Sequence, residues 1–195
     1  MKTTAVRRGA HGRALLALAC VALASCGGGD DASPAASGAP VAGASSGAAS
    51  TCNLPNFQAS LLARINQLRA TGADCGSDGT FGAAAALTWN ARLTASAEGH
   101  SKDMSARNYF SHTSADGRTL GDRVSASGYA WSSLGENIAA GYPTVNAVMD
   151  GWIASPGHCA NLMNAGFAEV GVACVPGSAG ATYSNYWTMD LGRPR

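Results

Sequence analysis

From Gly27 to Ser50 the chain uses only Gly, Ala, Ser, Pro, Val and two Asp. It holds no aromatic residue and no aliphatic side chain larger than Val41. Such a stretch cannot bury enough apolar surface to offset its ordering entropy, so it reads as disordered linker. Its 24 residues reach on the order of 27 Å as a flexible coil. A packed domain is therefore confined to residues 52–195, about 140 of the 195, within the size range of one domain. The match of Gly43-Ala44-Ser45-Ser46-Gly47 to G-x-S-x-G falls in this low-complexity stretch, where no strand-to-helix elbow can form.

Ahead of the linker lies an address. Lys2, Arg7, Arg8 and Arg13 stand without an acidic residue, and residues 14–24 are uncharged and largely apolar. This is the layout of a secretory signal and is too short for a transmembrane helix. It ends Leu23-Ala24-Ser25-Cys26, which resembles a bacterial lipobox, in which the cysteine is acylated and becomes the new N-terminus. Residues 1–25 are thus expected to be a lipoprotein signal peptide, Cys26 the lipidated residue and 26–51 the tether. Gly27 stands where an Asp would favour inner-membrane retention, so the outer membrane is the expected destination. Removing residues 1–25 takes four cations and no anion from a net charge of +1, leaving −3. That balance excludes the surplus of clustered cations that nucleic-acid binding needs. No run reaches the 18 or so apolar residues needed to span a bilayer. Cys20 leaves with the signal, and Cys52, Cys75, Cys159 and Cys174 remain for two disulfides in an exported chain.

Periodicity gives the elements. Leu61, Leu62, Ile65 and Leu68 fall on one face of a helix over 57–70, stopped by Gly72. Asn90 caps a second helix reaching about Asn108, with the stripe Leu93, Ala97, His100, Met104. A third covers 119–127, and Val145, Val148 and Trp152 mark a fourth after Pro143. Ser155-Pro156 has the form of an N-cap and a first helical proline, opening a turn that carries His158. Residues 169–175 alternate as a strand, 182–191 form its hairpin partner across a Gly/Ser loop, and 136–140 form a further strand. The class is α+β, with helices packed on the faces of a small sheet.

Three histidines survive export. His100 sits on an apolar helix stripe, the position of a packed, hydrogen-bonded histidine. His112 and His158 sit where core packing does not explain them, and imidazole suits metal ligation or proton transfer near neutral pH. H-E-x-x-H and paired C-x-x-C motifs are absent. Glu136 and Glu169 are the acids that would complete a site. Phe110, Tyr129, Trp131, Tyr142 and Trp152 are candidates for lining an apolar cleft, Trp152 and others serving equally as core.

The order of short motifs is more specific. His100-Ser101-Lys102-Asp103-Met104, Tyr109-Phe110-Ser111-His112, Gly135-Glu136-Asn137-Ile138, Trp152, Ser155-Pro156-Gly157-His158, Glu169-Val170-Gly171-Val172 and Tyr186-Trp187-Thr188 follow one another over residues 58–192. This series resembles the CAP superfamily of cysteine-rich secretory, antigen 5 and pathogenesis-related proteins, most nearly its bacterial SCP-domain branch. The resemblance implies a three-layer α-β-α sandwich around a small, mostly antiparallel sheet, with a surface cleft holding two His and two Glu. His112, Glu136 and His158 match three of these positions. The fourth, three residues after Trp152, is Ser155, so the tetrad is incomplete. Asn137 accompanies Glu136 in its motif, and Glu169 offers no independent support as a replacement.

The resemblance further implies an extracytoplasmic binding module for an apolar ligand such as a sterol or fatty acid, a divalent cation (zinc or magnesium) held by His112, Glu136 and His158, or an envelope component. Its rivals are a metal-dependent hydrolase using the same residues and a structural or adhesive surface domain. Pairing Cys159 with Cys174 would close a 15-residue separation, worth about 3 kcal/mol, and would leave Cys52 with Cys75. Four cysteines allow three pairings, and the sequence does not choose among them. Oligomeric state is equally open.

Overall fold

The computed structural model describes residues 50–195. The expected signal peptide, Cys26 and nearly all of the linker lie outside the described residues. Five helices and six strands follow in order: α1 (Phe57–Thr71), β1 (Ala73–Asp74), β2 (Thr80–Phe81), β3 (Thr88–Trp89), α2 (Ala91–Arg107), α3 (Leu120–Ala126), β4 (Trp131–Ala140), α4 (Val145–Ala154), α5 (Pro156–Met163), β5 (Glu169–Pro176) and β6 (Asn185–Pro194). A single 3-10 turn, Gly76–Asp78, sits between β1 and β2.

The main sheet has the order β3-β5-β6-β4. β5 pairs antiparallel with β6 and β6 with β4, while β3 runs parallel to β5. Period-two alternation decides which helix layer each side chain meets. Val170, Val172 and Cys174 on β5, with Trp187, Met189 and Leu191 on β6, share one buried core with Leu61 and Ile65 of α1, Val148, Met149 and Trp152 of α4 and Leu162 of α5. The alternate residues face α2. Tyr186 packs on Met104, and Thr188 hydrogen-bonds Ser101 at 2.8 Å. Gly171 admits α2 so closely that a Cβ there would stand 2.1 Å from the Thr94 nitrogen. The result is the expected α-β-α sandwich, with α2 and α3 on one face and α1, α4 and α5 on the other.

Caps fix the helix ends. Asn90 accepts from the backbone N–H of Arg92 and Leu93, and Thr144 from that of Ala147. Thr119 and Asp122 form a reciprocal capping box. Ser155 stands at the N-cap of α5 with Pro156 behind it, but its side chain makes no capping bond. Arg69 lies on the apolar face of α1 and is fully buried. Its guanidinium donates to the carbonyls of Ala85 and Leu162, each at 2.7 Å, and of Asn164 at 3.0 Å. It thereby ties the strand-poor segment before β3 to the end of α5. Asn66 does the same for β3, exchanging two hydrogen bonds with the Leu87 backbone.

The disulfides correct the sequence reading. Cys52 pairs with Cys174 and Cys75 with Cys159, not Cys52 with Cys75 and Cys159 with Cys174. Cys174 lies five residues into β5, about 17 Å along the strand, and so is carried away from α5. It meets the leading segment instead, where Thr51 bridges to Cys174 and the Cys52 N–H donates to its carbonyl at 3.1 Å. Cys159, on α5, faces the 3-10 turn beside Cys75. The two bridges span separations of 122 and 84 residues, each worth about 4.5–5 kcal/mol on loop-closure entropy. Non-reducing peptide mapping is expected to recover Cys52 with Cys174 and Cys75 with Cys159. The double variant C52S/C174S is expected to lose about 2–5 kcal/mol in denaturant unfolding.

Candidate functional site

The site is built around β4, the outer strand of the sheet. Glu136 points to the α2/α3 side, where it lies opposite Asp190. Asn137 points to the other side, where its Nδ2 donates to the His158 carbonyl at 3.1 Å. Asn161 of α5 donates to Asn137 Oδ1 at 2.9 Å and to the Glu136 carbonyl at 3.1 Å. Asn137, fully buried, is thus the staple that seats α5 and His158 against β4.

His112 arrives from the loop after α2. Asn108 ends that helix in a left-handed conformation, and its side chain accepts from the Thr182 backbone N–H at 2.7 Å. His100, fully buried, holds the next turn. Its Nε2 donates to the Ser111 carbonyl at 2.9 Å, and Ser114 Oγ lies 3.5 Å from Nδ1. Burial lowers the His100 pKa, which suits a neutral ring that donates at one nitrogen and accepts at the other. His100 therefore supports the loop from within the core and does not reach the cleft.

His112 Nδ1 meets Glu136 Oε1 at 2.7 Å. The other carboxylate oxygen accepts from Arg123 of α3, and both members of that ion pair have side chains only 3% exposed. Arg123 also donates to the His112 carbonyl at 3.0 Å and to Ser114 Oγ at 3.2 Å. Burial opposes ionisation of Glu136, but the His112 hydrogen bond and the Arg123 charge outweigh it and hold its pKa below the ordinary value. His158, half-buried, is shifted down by burial and then by the charge of His112.

Beside His158 opens a cavity of about 270 Å³. Ile138, Ala139 and Ala140 of β4 form its floor, Tyr142, Trp152 and Ser155 one wall, and Phe110 and Tyr183 the rim. Phe110 and Tyr183 are 45% and 40% exposed, the large hydrophobic side chains most open to solvent among the described residues. Their ring centroids are 6.0 Å apart. Gly151 leaves room for Tyr142, whose hydroxyl would lie 2.6 Å from a Cβ there.

The structure therefore brings His112 to Glu136 on one face of β4 and His158 to Asn137 on the other, with His158 and Ser155 along the cavity. Glu169 is engaged elsewhere, accepting from Tyr129 at 2.6 Å, where Tyr129 and Trp131 pack with Leu93 and Val124. Of the expected aromatic residues only Phe110, Tyr142 and Trp152 line the cavity, and Tyr183 joins them. Two buried groups escaped the sequence reading. Arg123 is indistinguishable in the sequence from a solvated helix arginine. Asp190 falls between Met189 and Leu191, a position that reads as solvent-facing when one face of a sheet is exposed, but α2 covers that face.

Comparison with known proteins places this geometry in a family. The cysteine-rich secretory protein (CAP) family matches residues 62–191, and the chain belongs to it. The membrane protein YlbC of Bacillus subtilis is 39% identical over 88 residues, 45% of this chain and 25% of that protein. A solved extracellular protein containing an SCP domain, from Bacillus anthracis, is 37% identical with a TM-score of 0.50, covering 56% of this chain and 34% of that one. An outer surface protein of Borrelia burgdorferi shares the fold at 18% identity and a TM-score of 0.57, covering 69% of this chain and 90% of its own. The chain thus spans about a quarter to a third of the first two relatives. Among the described residues no helix is long and apolar enough to cross a membrane.

The divalent cation implied by the family finds a poor seat here. Among the described residues no three His, Cys, Asp or Glu converge on one metal position. Both Glu136 oxygens are engaged, one by a guanidinium, and Ser155 supplies no carboxylate. Two imidazoles remain, fewer than the three or four protein ligands of zinc centres.

Asp190 gives the site a pH dependence. Neither of its oxygens has a hydrogen-bond partner among the described residues, and burial, then the Glu136 charge, raise its pKa well above the ordinary value. The folded state then binds a proton that the unfolded chain releases near pH 4, so Asp190 costs stability increasingly as pH rises above that point. Asp190→Asn is expected to melt close to wild type at pH 4 and progressively higher than wild type towards pH 8, read by thermal scans across that range.

Proposed function

We propose that this protein is an exported binding module whose cleft takes a small amphipathic ligand, the apolar part in the cavity and the polar end at His158 and His112. The observation that carries this reading is the pair Phe110 and Tyr183. Two large exposed aromatic rings meeting over an apolar cavity are costly to leave in water and are what an apolar ligand would cover. The cavity, about 270 Å³, has room for a medium alkyl chain. A hydrolase reading draws no support from Glu136, which is tied to Arg123 as well as to His112 and is not a free base.

Export and anchoring belong to the same proposal. The signal-like residues 1–25 and Cys26 would tether the domain by lipid to a membrane, the outer membrane by the Gly27 criterion. The extracellular and outer-surface descriptions of the similar structures are consistent with that placement.

The test is a titration of the disulfide-intact protein with 1-decanol and with decanoate, followed by tyrosine and tryptophan fluorescence and calorimetry. Wild type is expected to bind at least one of them saturably. The variant F110A/Y183A should bind at least tenfold more weakly, the equivalent of about 1.4 kcal/mol, while staying folded with a modestly lowered melting temperature, since both rings are partly covered and Tyr183 packs on Tyr186. Equal affinity in wild type and variant would remove the aromatic rim from the binding site.

A further inference from the structure

Beneath His112 three side chains admit only one placement of protons. Arg123 carries donors and no acceptor, and ionised Glu136 carries acceptors and no donor. Arg123 Nη2 donates to Glu136 Oε2, and Arg123 Nη1 donates to the His112 carbonyl at 3.0 Å. One guanidinium thus holds both the backbone of His112 and the carboxylate that meets its ring. Glu136 Oε1, 2.7 Å from His112 Nδ1, can only accept, so the proton of that contact belongs to Nδ1. The hydrogen bond made by one ring nitrogen fixes the state of the other.

We infer that Arg123 is a positioning residue of the cleft: acting through Glu136, it locks neutral His112 in the Nδ1–H tautomer and leaves Nε2 as an outward-facing acceptor. The His112 side chain is 58% exposed against 3% for Glu136 and for Arg123, so of these three side chains the His112 ring is the one that reaches solvent. An acceptor at this end of the cleft favours a ligand that donates, such as a hydroxyl group, over a carboxylate. That consequence for the ligand rests on the binding reading above, whereas the tautomer does not.

The experiment is long-range nitrogen–proton NMR of the histidine rings, recorded without ligand on the disulfide-intact protein at a pH where the imidazoles are neutral. Wild-type His112 is expected to show the Nδ1–H pattern. In Glu136→Gln, Arg123 can still only donate, so the new amide must turn its oxygen to Arg123 and its NH2 to His112. Nδ1 must then accept, and the proton moves to Nε2. In the double variant E136Q/R123M the amide is free to turn over, and Nδ1–H returns. This variant also removes both charges of the buried pair together, so no unpaired charge is left inside the fold. A merely structural role for Arg123 predicts no such reversal. An Nε2–H pattern in wild type, Nδ1–H retained in E136Q, or no reversal in the double variant would each overturn the inference.

The same proteins titrated with 1-decanol and decanoate separate the two readings. Decanol binding is expected to fall about tenfold in E136Q, a loss of about 1.4 kcal/mol, while decanoate binding improves. If the tautomer moves as stated and wild type binds neither compound, the ligand reading fails and the role of Arg123 stands.

Discussion

The arrangement of this protein's cleft depends on one buried ion pair, Arg123 with Glu136. Taking two charges out of water costs several kcal/mol for each ion, and the pair persists only where further hydrogen bonds complete it. Here they do. Arg123 adds the His112 and Arg118 carbonyls and Ser114 Oγ, and Glu136 adds the His112 ring. Those partners come from α3, from the loop after α2 and from β4. The loop that carries His112 has no secondary structure of its own and borrows its position from this network and from His100. Asp190, opposite Glu136 on the neighbouring strand, sharpens the requirement. With one guanidinium beneath two buried carboxyl groups, Glu136 takes the cation and the Asp190 pKa is pushed up by burial and by the Glu136 charge.

The second constraint is that β4 ends the sheet. An outer strand presents backbone groups with no strand beside it, and proteins cover or blunt such edges. Two of its outward carbonyls are covered by side chains from the α4/α5 layer, Glu136 O by Asn161 and Ile138 O by Trp152. Further along, the same edge becomes the cavity floor at Ile138, Ala139 and Ala140. The cleft is therefore where the two helix layers meet around an edge strand: His112 and Phe110 come from the α2 side, His158 and Ser155 from the α5 side. This explains how His112 and His158, 46 positions apart in sequence, both come to rest against β4.

Helices with strong apolar stripes were legible from the sequence, as were the β5–β6 hairpin and the α-β-α layering. Signals that depend on a few residues were not. β1, β2 and β3 are two residues long, too short for any period, and β3 is placed by Asn66 and Arg69 on a distant helix. β4 begins five residues before its legible part, because Trp131, Ser132 and Ser133 enter through an irregular register and lack the aliphatic alternation of 136–140. His112, Glu136 and His158 could be singled out only because their short motifs keep a familiar order, since no spacing rule joins them. The disulfide pairing was not legible. Closeness in sequence favours Cys159 with Cys174, but strand direction carries them apart.

Ser155 decides the electrical character of the cleft. A second carboxylate at that position would add a negative charge along the wall that carries His158 and would draw a cation between the two rings. With Ser155 there, the ion pair beneath the site is Arg123 with Glu136, whose charges offset each other. The wall next to His158 is then uncharged and mostly apolar. Burial holds His158 towards its neutral form, so this ring too faces a ligand without adding charge. A net-neutral cleft with an aromatic rim has little to attract a free dication from water and much to gain from covering apolar surface. The proposed function therefore rests on Ser155 as much as on the two histidines.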